Sequence, residues 1–183
     1  MNLNKYSEIV FLDDTQKNCM SYLVIGGFKD VDKYVDDYDI VVAIGNSNVR
    51  KKIIEELENK NASIPTLIHP KAVIGVNVKF GQGTVVMAGA IINSDAKIEK
   101  GCIINTASSV DHDCIIENYA HISVGSHLAG NVRVGEATWI GVGATVSDNL
   151  CICNDVMVGA GAVVVKDILE SGTYVGVPAR KIK

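Results

Sequence analysis

A chain of 183 residues with a formal net charge of −4 has room for one large domain, or a medium one and a small one. It offers no basic surface for a nucleic acid or an anionic membrane. No run reaches the roughly 18 apolar residues of a membrane span, and the opening MNLNKYSEIVFLDD is too polar and acidic for a secretory leader. The cysteines (Cys19, Cys102, Cys114, Cys151 and Cys153) are odd in number and lack a metal-type spacing. That fits a reducing cytoplasm and a chain that needs no metal.

Residues 1–62 read as a small α/β unit. The segment EIVFLDD predicts a buried strand over Glu8–Leu12 that ends on Asp13 and Asp14. A second apolar run, Ile40–Ile44, ends on Gly45 and Asn46. The following SNVRKKIIEELENK predicts a helix capped by Asn46 or Ser47, with Val49, Ile53, Ile54 and Leu57 as its apolar face. Ligands of open parallel sheets sit at the carboxyl ends of strands. Asp13, Asp14 and Asn46 are therefore candidates for contacts with ribose or sugar hydroxyls; acids at a solvated strand end are the alternative. No strand, Gly-rich turn and helix precede EIVFLDD, so the unit is truncated. Gly26-Gly27 lacks the GxGxxG spacing and is given no phosphate-binding role.

From Leu67 to Ile168 the chain reads in sixes. The second place of every hexad is Ile, Val, Leu or Phe, from Ile68 and Ile74 through Phe80 to Val164. The sixth is mostly small, as at Ala90, Ala96, Cys102, Ser108, Cys114, Ala120, Ser126, Thr138, Ala144 and Ala162. A period of six cannot be an α-helix, whose repeat is 3.6. It predicts a coil of three short strands and tight corners, three hexads to a turn, stacked in rungs about 4.8 Å apart. The aliphatics form an interior column, and the small residues lie where the chain turns inward. Residues 63–168 form this prism, and residues 169–183 are a tail that leaves the register at Leu169.

The same register serves as a coordinate system. His112 sits at a corner between Asp111 and Asp113, and a carboxylate beside an imidazole fixes its tautomer and raises its basicity, as a general base requires; a solvated corner histidine is the alternative. One turn beyond His112 lies Gly130, whose missing side chain leaves a backbone N–H open as an oxyanion donor. A second corner stacks Ser123-Val124-Gly125, Gly141-Val142-Gly143 and Gly159-Ala160-Gly161. A narrow cofactor arm could lie along it, although tight corners favour glycine anyway. His127, one turn above Ser109, is expected on the surface, and His69, before Pro70, in a capping role. Lys166, Arg180, Lys181 and Lys183 form a basic cluster near the C-terminal end.

The hexads resemble those of the hexapeptide-repeat acyltransferases, which fold as a left-handed parallel β-helix. A closer resemblance is to the bacterial sugar acetyltransferases of the PglD/NeuD type. It is carried by FLDD (Phe11 to Asp14), AIGN (Ala43 to Asn46) with Arg50-Lys51-Lys52, Asn105-Thr106, DHD (Asp111 to Asp113), HISVG (His121 to Gly125), AGNVRVG (Ala129 to Gly135) and VGVPAR (Val175 to Arg180). The resemblance implies a mainly β protein: a left-handed β-helix preceded by a small, truncated Rossmann-like α/β domain. It implies transfer of acetyl from acetyl-CoA to an amino group or hydroxyl of a nucleotide-linked sugar in surface-glycan synthesis, in the cytoplasm, without a metal. His112 would be the base, Asp113 its orienting partner and Gly130 the oxyanion donor. His121, Gly130, Val142 and Ala160 would contact acetyl-CoA, and Asp13, Asp14 and Asn46 the acceptor; with CoA along the second corner, Arg180 of the basic cluster would reach its 3′-phosphate, a solvated tail being the alternative. The family works as a homotrimer with acetyl-CoA held between neighbours. Its N-terminal strand and Gly-rich, His-containing loop have no counterpart ahead of EIVFLDD, which leaves the acceptor less determined than the donor. Another acceptor (sialic acid or an amino acid) and a non-catalytic β-helix binding protein are the alternatives.

Overall fold

The computed structural model describes residues 6–15, 18–19 and 22–183. Met1–Lys5, part of the stretch judged against a leader, and the side chain of Cys19 lie outside the described residues. Among the described residues no helix is long and apolar enough to cross a membrane.

Each hexad supplies a two-residue strand and a turn. Ile103–Ile104, Ser109–Val110 and Ile115–Ile116 make one turn of the prism, and the next begins at His121–Ile122. Successive turns pair in parallel with each residue facing the one three hexads on: Ile104 with Ile122, Val110 with Leu128, Ile116 with Val134. This generates the three faces of a left-handed parallel β-helix. The first face carries Ile103, His121 and Trp139, the second Ser109, His127 and Thr145, and the third Lys79, Lys97, Ile115 and Arg133.

The corners have a local cause. The fifth place of every hexad from Asn77 (φ 60) through Asp113 (φ 59) to Gly161 (φ 65) has a left-handed backbone. Gly, Asn and Asp reach that region most easily, and for other residues it costs about 1–2 kcal/mol. Ala107, Tyr119 and Ala137 adopt it as well, so the stacked ladder sets the corner even where the residue does not favour it. The core is the predicted column: Ile92, Ile104, Ile116, Ile122, Ile140 and Ile152 are fully buried, and so are the sixth-place Ala90, Cys102, Ser108, Cys114, Ala120, Ser126, Thr138 and Ala144. Buried hydroxyls find carbonyls, as in Ser126 Oγ to Ser123 O (2.8 Å) and Thr138 Oγ1 to Cys153 O (2.8 Å). Burial pushes the Cys102 thiol up to about 12 and that of Cys114 up to about 11, so both act as small apolar residues.

The N-terminal unit is smaller in secondary structure than its sequence suggests. Strands β1 (Val10–Leu12), β2 (Asn18–Cys19) and β3 (Tyr22–Gly26) form a sheet in the order β1-β3-β2, with β1 parallel and β2 antiparallel to β3. The predicted strand from Glu8 starts at Val10 and is only half-buried, since Glu8 is exposed and takes a hydrogen bond from the Tyr38 hydroxyl. Ile40–Ile44 forms no ladder. Its one backbone bond to another segment runs from Ile40 N–H to Ser63 O (2.8 Å), and the carbonyls of Ile44 and Gly45 are taken by the Arg50 guanidinium (2.9 and 2.8 Å).

Helix α1 (Ser47–Asn59) is capped by Asn46, whose side chain accepts the Val49 N–H at 3.0 Å. Ile54 and Leu57 are buried as expected, but Val49 is 46% exposed while Arg50 is 1% exposed. Arg50 points into the junction, where Nε donates to Gly101 O (2.7 Å) and Nη2 to Tyr119 O (2.6 Å). Ion pairs Lys51–Glu136 (2.5 Å) and Lys100–Glu58 (2.9 Å) flank this pin. The tail leaves the hexad register but not the ladder. Gly172–Val175 pairs in parallel with Val156–Val158 and then antiparallel with Arg180–Lys181.

Candidate active site

His112 occupies the corner between the second and third faces, and the turn itself orients it. Asp111 Oδ1 accepts the His112 backbone N–H (2.7 Å) and is itself held by Asn93 Nδ2 (2.7 Å), the residue one turn below. These bonds keep the Asp111 carboxyl below the usual carboxylate range. The left-handed Asp113 brings Oδ2 to 2.8 Å from His112 Nδ1. That bond raises the His112 pKa above its ordinary value; desolvation opposes it, and the charges of Asp111 and Asp113 add smaller contributions in the same upward direction. With Nδ1–H donated to Asp113, the lone pair is on Nε2.

Gly130 lies directly over that nitrogen. A Cβ at position 130 would stand 2.5 Å from His112 Nε2 and 2.7 Å from Cε1, so only glycine lets the ring stay where it is. The Gly130 N–H donates to no acceptor among the described residues, while the next amide, Asn131 N–H, is tied to His112 O at 2.8 Å. The His112 side chain is 60% exposed. The result is an accessible, oriented base beside an uncommitted amide donor.

The glycine corner lies between the first and second faces. Gly125, Gly143 and Gly161 have φ of 60, 63 and 65, and a Cβ on any of them would meet nothing within 4 Å. Alanine holds the same conformation at positions 107 and 137, so the turn alone does not require these glycines; they leave open space at the surface. Beside them the carbonyls of Val124 and Val142 accept Gly143 N–H (3.0 Å) and Gly161 N–H (2.8 Å). The N–H groups of Val124, Val142 and Ala160 donate to nothing among the described residues. These donors form a column one rung, about 4.8 Å, apart. Gly141 and Gly159 differ, since a Cβ there would strike the turn stacked on it.

His121, on the first face, is 6% exposed and stacks on Trp139 with ring centroids 4.3 Å apart. Burial, aided by the Arg50 charge, pushes its pKa down to about 4, so it is neutral. Asn105 Nδ2 lies 3.1 Å from His121 Nε2. Donation by the amide puts the remaining ring proton on Nδ1, which is buried without a partner, as is Ser123 Oγ.

The remaining candidates are separate from these clusters. Asp13 accepts the Thr15 N–H and hydroxyl (both 2.7 Å), and Asp14 accepts the Phe28 N–H (2.9 Å) across Gly27, so Gly27 makes room for a carboxylate. Asn46 is engaged as the α1 cap, and a Cβ on the adjoining Gly45 would stand 3.9 Å from the Trp139 ring. Arg180 lines a hollow of ≈ 340 Å³ with Lys166, Tyr174 and Lys181. His127 is exposed, with Nδ1 2.9 Å from Ser109 Oγ, and His69 Nδ1 accepts the Lys71 N–H (3.1 Å). Sequence reasoning assigned no role to Arg50, Asn93 or Trp139. For the last two a signal existed, since Asn93 is one turn below Asp111 and Trp139 one turn above His121.

Comparison with known proteins places these features in context. Residues 1–57 match the family described as the PglD N-terminal domain. UDP-N-acetylbacillosamine N-acetyltransferase of Bacillus subtilis (strain 168) is 40% identical over 56 residues, which are 31% of this chain and 26% of that protein. The acetyltransferase domain of PglB from Neisseria gonorrhoeae FA1090 in complex with acetyl coenzyme A is 41% identical, with a TM-score of 0.95 over 98% of this chain and 89% of that one. PerB from Caulobacter crescentus in complex with CoA and GDP-perosamine is 36% identical, with a TM-score of 0.91 over 95% of this chain and 84% of that one.

Proposed function

The chain belongs to the PglD-type family of sugar acetyltransferases, and from that premise we propose that it transfers an acetyl group from acetyl-CoA to an amino group on a nucleotide-linked sugar. Residues 1–62 serve as the acceptor unit, with Asp13, Asp14 and Asn46 turned to the acceptor. Residues 63–168 carry out the transfer, and residues 169–183 close the prism. In the reaction the acceptor amine attacks the thioester carbonyl. His112 Nε2 takes the proton released as the C–N bond forms, and Asp113 stabilises the imidazolium. The oxyanion forms against the Gly130 N–H. Collapse of the tetrahedral intermediate breaks the C–S bond, and the imidazolium returns its proton to the departing CoA thiolate.

Support for the donor side comes from the unpaired amides of Val142 and Ala160 beside open glycines, where a pantetheine arm finds hydrogen-bond donors without steric obstruction. His121, with its unpartnered Nδ1, adds a further contact to acetyl-CoA. Arg180 faces the 3′-phosphate. The His112 corner and the glycine corner are different edges of one prism, separated by the second face. One chain cannot bring them together, so the active site is completed by a neighbour in a homotrimer. The exposed Val73 and Ile91 on that face are the apolar surface such an assembly would cover. The relatives bind acetyl coenzyme A or CoA, and a cytoplasmic supply of the donor fits this use.

The observation that carries the proposal is the placement of His112: Nδ1 fixed by Asp113, Nε2 over Gly130. The test is acetyl-CoA-dependent thiol release across a panel of nucleotide-linked amino-sugars, run with wild type and His112→Ala. Turnover lower by about 10² or more in the variant is expected. Near wild-type turnover in His112→Ala would remove the assignment of the base.

A further inference from the structure

Hydrogen bonds between side chains one turn apart run along the corner that carries His112, and one of them ends on the acid that caps the His112 backbone. We propose that Asn93 is a positioning residue for the transfer reaction: it holds Asp111 against the His112 backbone, so that Asp113 alone takes the ring and Nε2 stays open to the acceptor. The inference rests on the reading of His112 as the base and adds to it a residue one turn below that acts through another side chain.

Three amide side chains at this corner donate to the residue one turn above them: Asn77 to Asp95 (3.1 Å), Asn131 to Asn149 (3.0 Å) and Asn93 to Asp111 (2.7 Å). The first two pairs lie in the left-handed fifth place of their hexads. Asn93 is in the third place, and its bond ends on an oxygen already in use, since Asp111 Oδ1 also accepts the His112 N–H at 2.7 Å. Two donors on one oxygen fix the plane and the rotamer of the carboxylate as neither does alone. The Asn93 amide is also the largest cause that keeps the Asp111 carboxyl below its ordinary range. Asn93 itself is exposed. Surface substitutions usually change stability little, so the effect of this bond lies in where it places Asp111.

The chemistry requires such a hold. His112 stands between two carboxylates, and the charges of both act on its ring in the same direction. Only one of them can orient it. Asp113 Oδ2, 2.8 Å from Nδ1, sets the tautomer that leaves the lone pair on Nε2. A second carboxylate free to rotate would compete for the ring. It would draw the imidazole off Asp113, or take Nε2–H after proton transfer and hold it back from the departing thiolate. Tied by Asn93 and by the His112 N–H, Asp111 supplies a backbone anchor without that competition. A misplacement of about 1 Å in a reacting group costs up to about 10²-fold in rate.

The test measures thiol release in Asn93→Ala, in Asn93→Asp and in the exchange Asn93→Asp/Asp111→Asn, with thermal melts to confirm that each is folded. Beside it, the tautomer of His112 is read from ring-nitrogen chemical shifts of isotope-labelled protein, at a pH where the ring is neutral. In Asn93→Ala a fall in kcat of about tenfold or more is expected, with the KM for acetyl-CoA within about twofold of wild type. The Nδ1–H tautomer of wild type is expected to give way in part to Nε2–H. Asn93→Asp stacks two acids one rung apart and is expected to be no better than Asn93→Ala. The exchange reverses the polarity of the bond: a carboxylate at 93 accepts from an amide at 111, whose oxygen still caps the His112 N–H. A kcat at least about fivefold above that of Asn93→Asp is expected. Wild-type kcat in Asn93→Ala, a fall in kcat without a change of tautomer, or an exchange no better than Asn93→Asp overturns the proposal. If His112→Ala keeps its turnover, the reading of the base fails, while the tautomer in Asn93→Ala still decides whether Asn93 positions the ring.

Discussion

Replacing Gly130 by alanine adds one carbon where the His112 imidazole lies: 2.5 Å from Nε2, 2.7 Å from Cε1 and 3.2 Å from Cδ2. Ordinary carbon contacts begin near 3.5 Å, so the ring must move by about 1 Å or swing outward. Either motion disturbs the 2.8 Å bond to Asp113. The swing costs the fold little, since the His112 side chain is 60% exposed and Gly130 is not among the residues with a left-handed backbone. Stability should change by less than about 1 kcal/mol. Activity should not escape as lightly. A positioned base contributes about 10²–10⁴ and an oxyanion donor about 10²–10³, and groups that act together do not add. Gly130→Ala should lower kcat by about 10²–10³-fold, with the double variant His112→Ala/Gly130→Ala no worse than His112→Ala by more than about threefold. Steady-state thiol release beside a thermal melt measures both quantities. A Gly130→Ala enzyme that keeps its melting temperature and turns over within about threefold of wild type would refute the stacked geometry.

Three further outcomes follow from the same structure. His112 must be neutral to act as a base, and Asp113 is the largest cause of its raised pKa. The acid limb of kcat/KM should therefore lie above pH 6.5 and move to lower pH in Asp113→Asn, with kcat reduced; a pH–rate profile whose limb stays or rises contradicts this. Gly143→Ala adds a methyl group in open space at a φ that alanine holds elsewhere in the prism. The melting temperature should shift little, while the KM for acetyl-CoA rises about tenfold; an unchanged KM would place the donor elsewhere. Arg50→Met strips the donor from the carbonyls of Ile44, Gly45, Gly101 and Tyr119, at about 1–3 kcal/mol for each group left buried and unpaired. The N-terminal unit should loosen first, seen as an early melting transition or preferential proteolysis ahead of residue 63, and a single transition at the wild-type temperature would contradict that role.

The prism was legible because one rule governs it throughout. A six-residue period fixes which side chains point inward, and three hexads to a turn put Gly130 over His112 and line up the glycine corner before any coordinate is known. The N-terminal unit has no such rule. Arg50 sits on a helix face that looks polar in sequence, yet its partners Gly101 and Tyr119 lie 51 and 69 residues away. No local pattern announces a guanidinium that pins two parts of a chain together. The Ile40–Ile44 run reads as a strand but joins no ladder, and the carbonyl at its end, Ile44 O, is taken by Arg50. Val49, expected in the core, is exposed, while the neighbouring Arg50 is buried. His121 was visible only through the resemblance. What makes it distinctive, an imidazole buried against Trp139 with one ring nitrogen unsatisfied, depends on packing across turns.

The most direct test of the central claim is mass spectrometry of the acceptor after incubation of the protein with acetyl-CoA and a panel of nucleotide-linked amino-sugars. The account predicts the gain of one acetyl group on the amino nitrogen of at least one of them, with free CoA formed in equal amount, and loss of that product in His112→Ala. An unmodified panel with acetyl-CoA intact, or product formed equally well by His112→Ala, would contradict it.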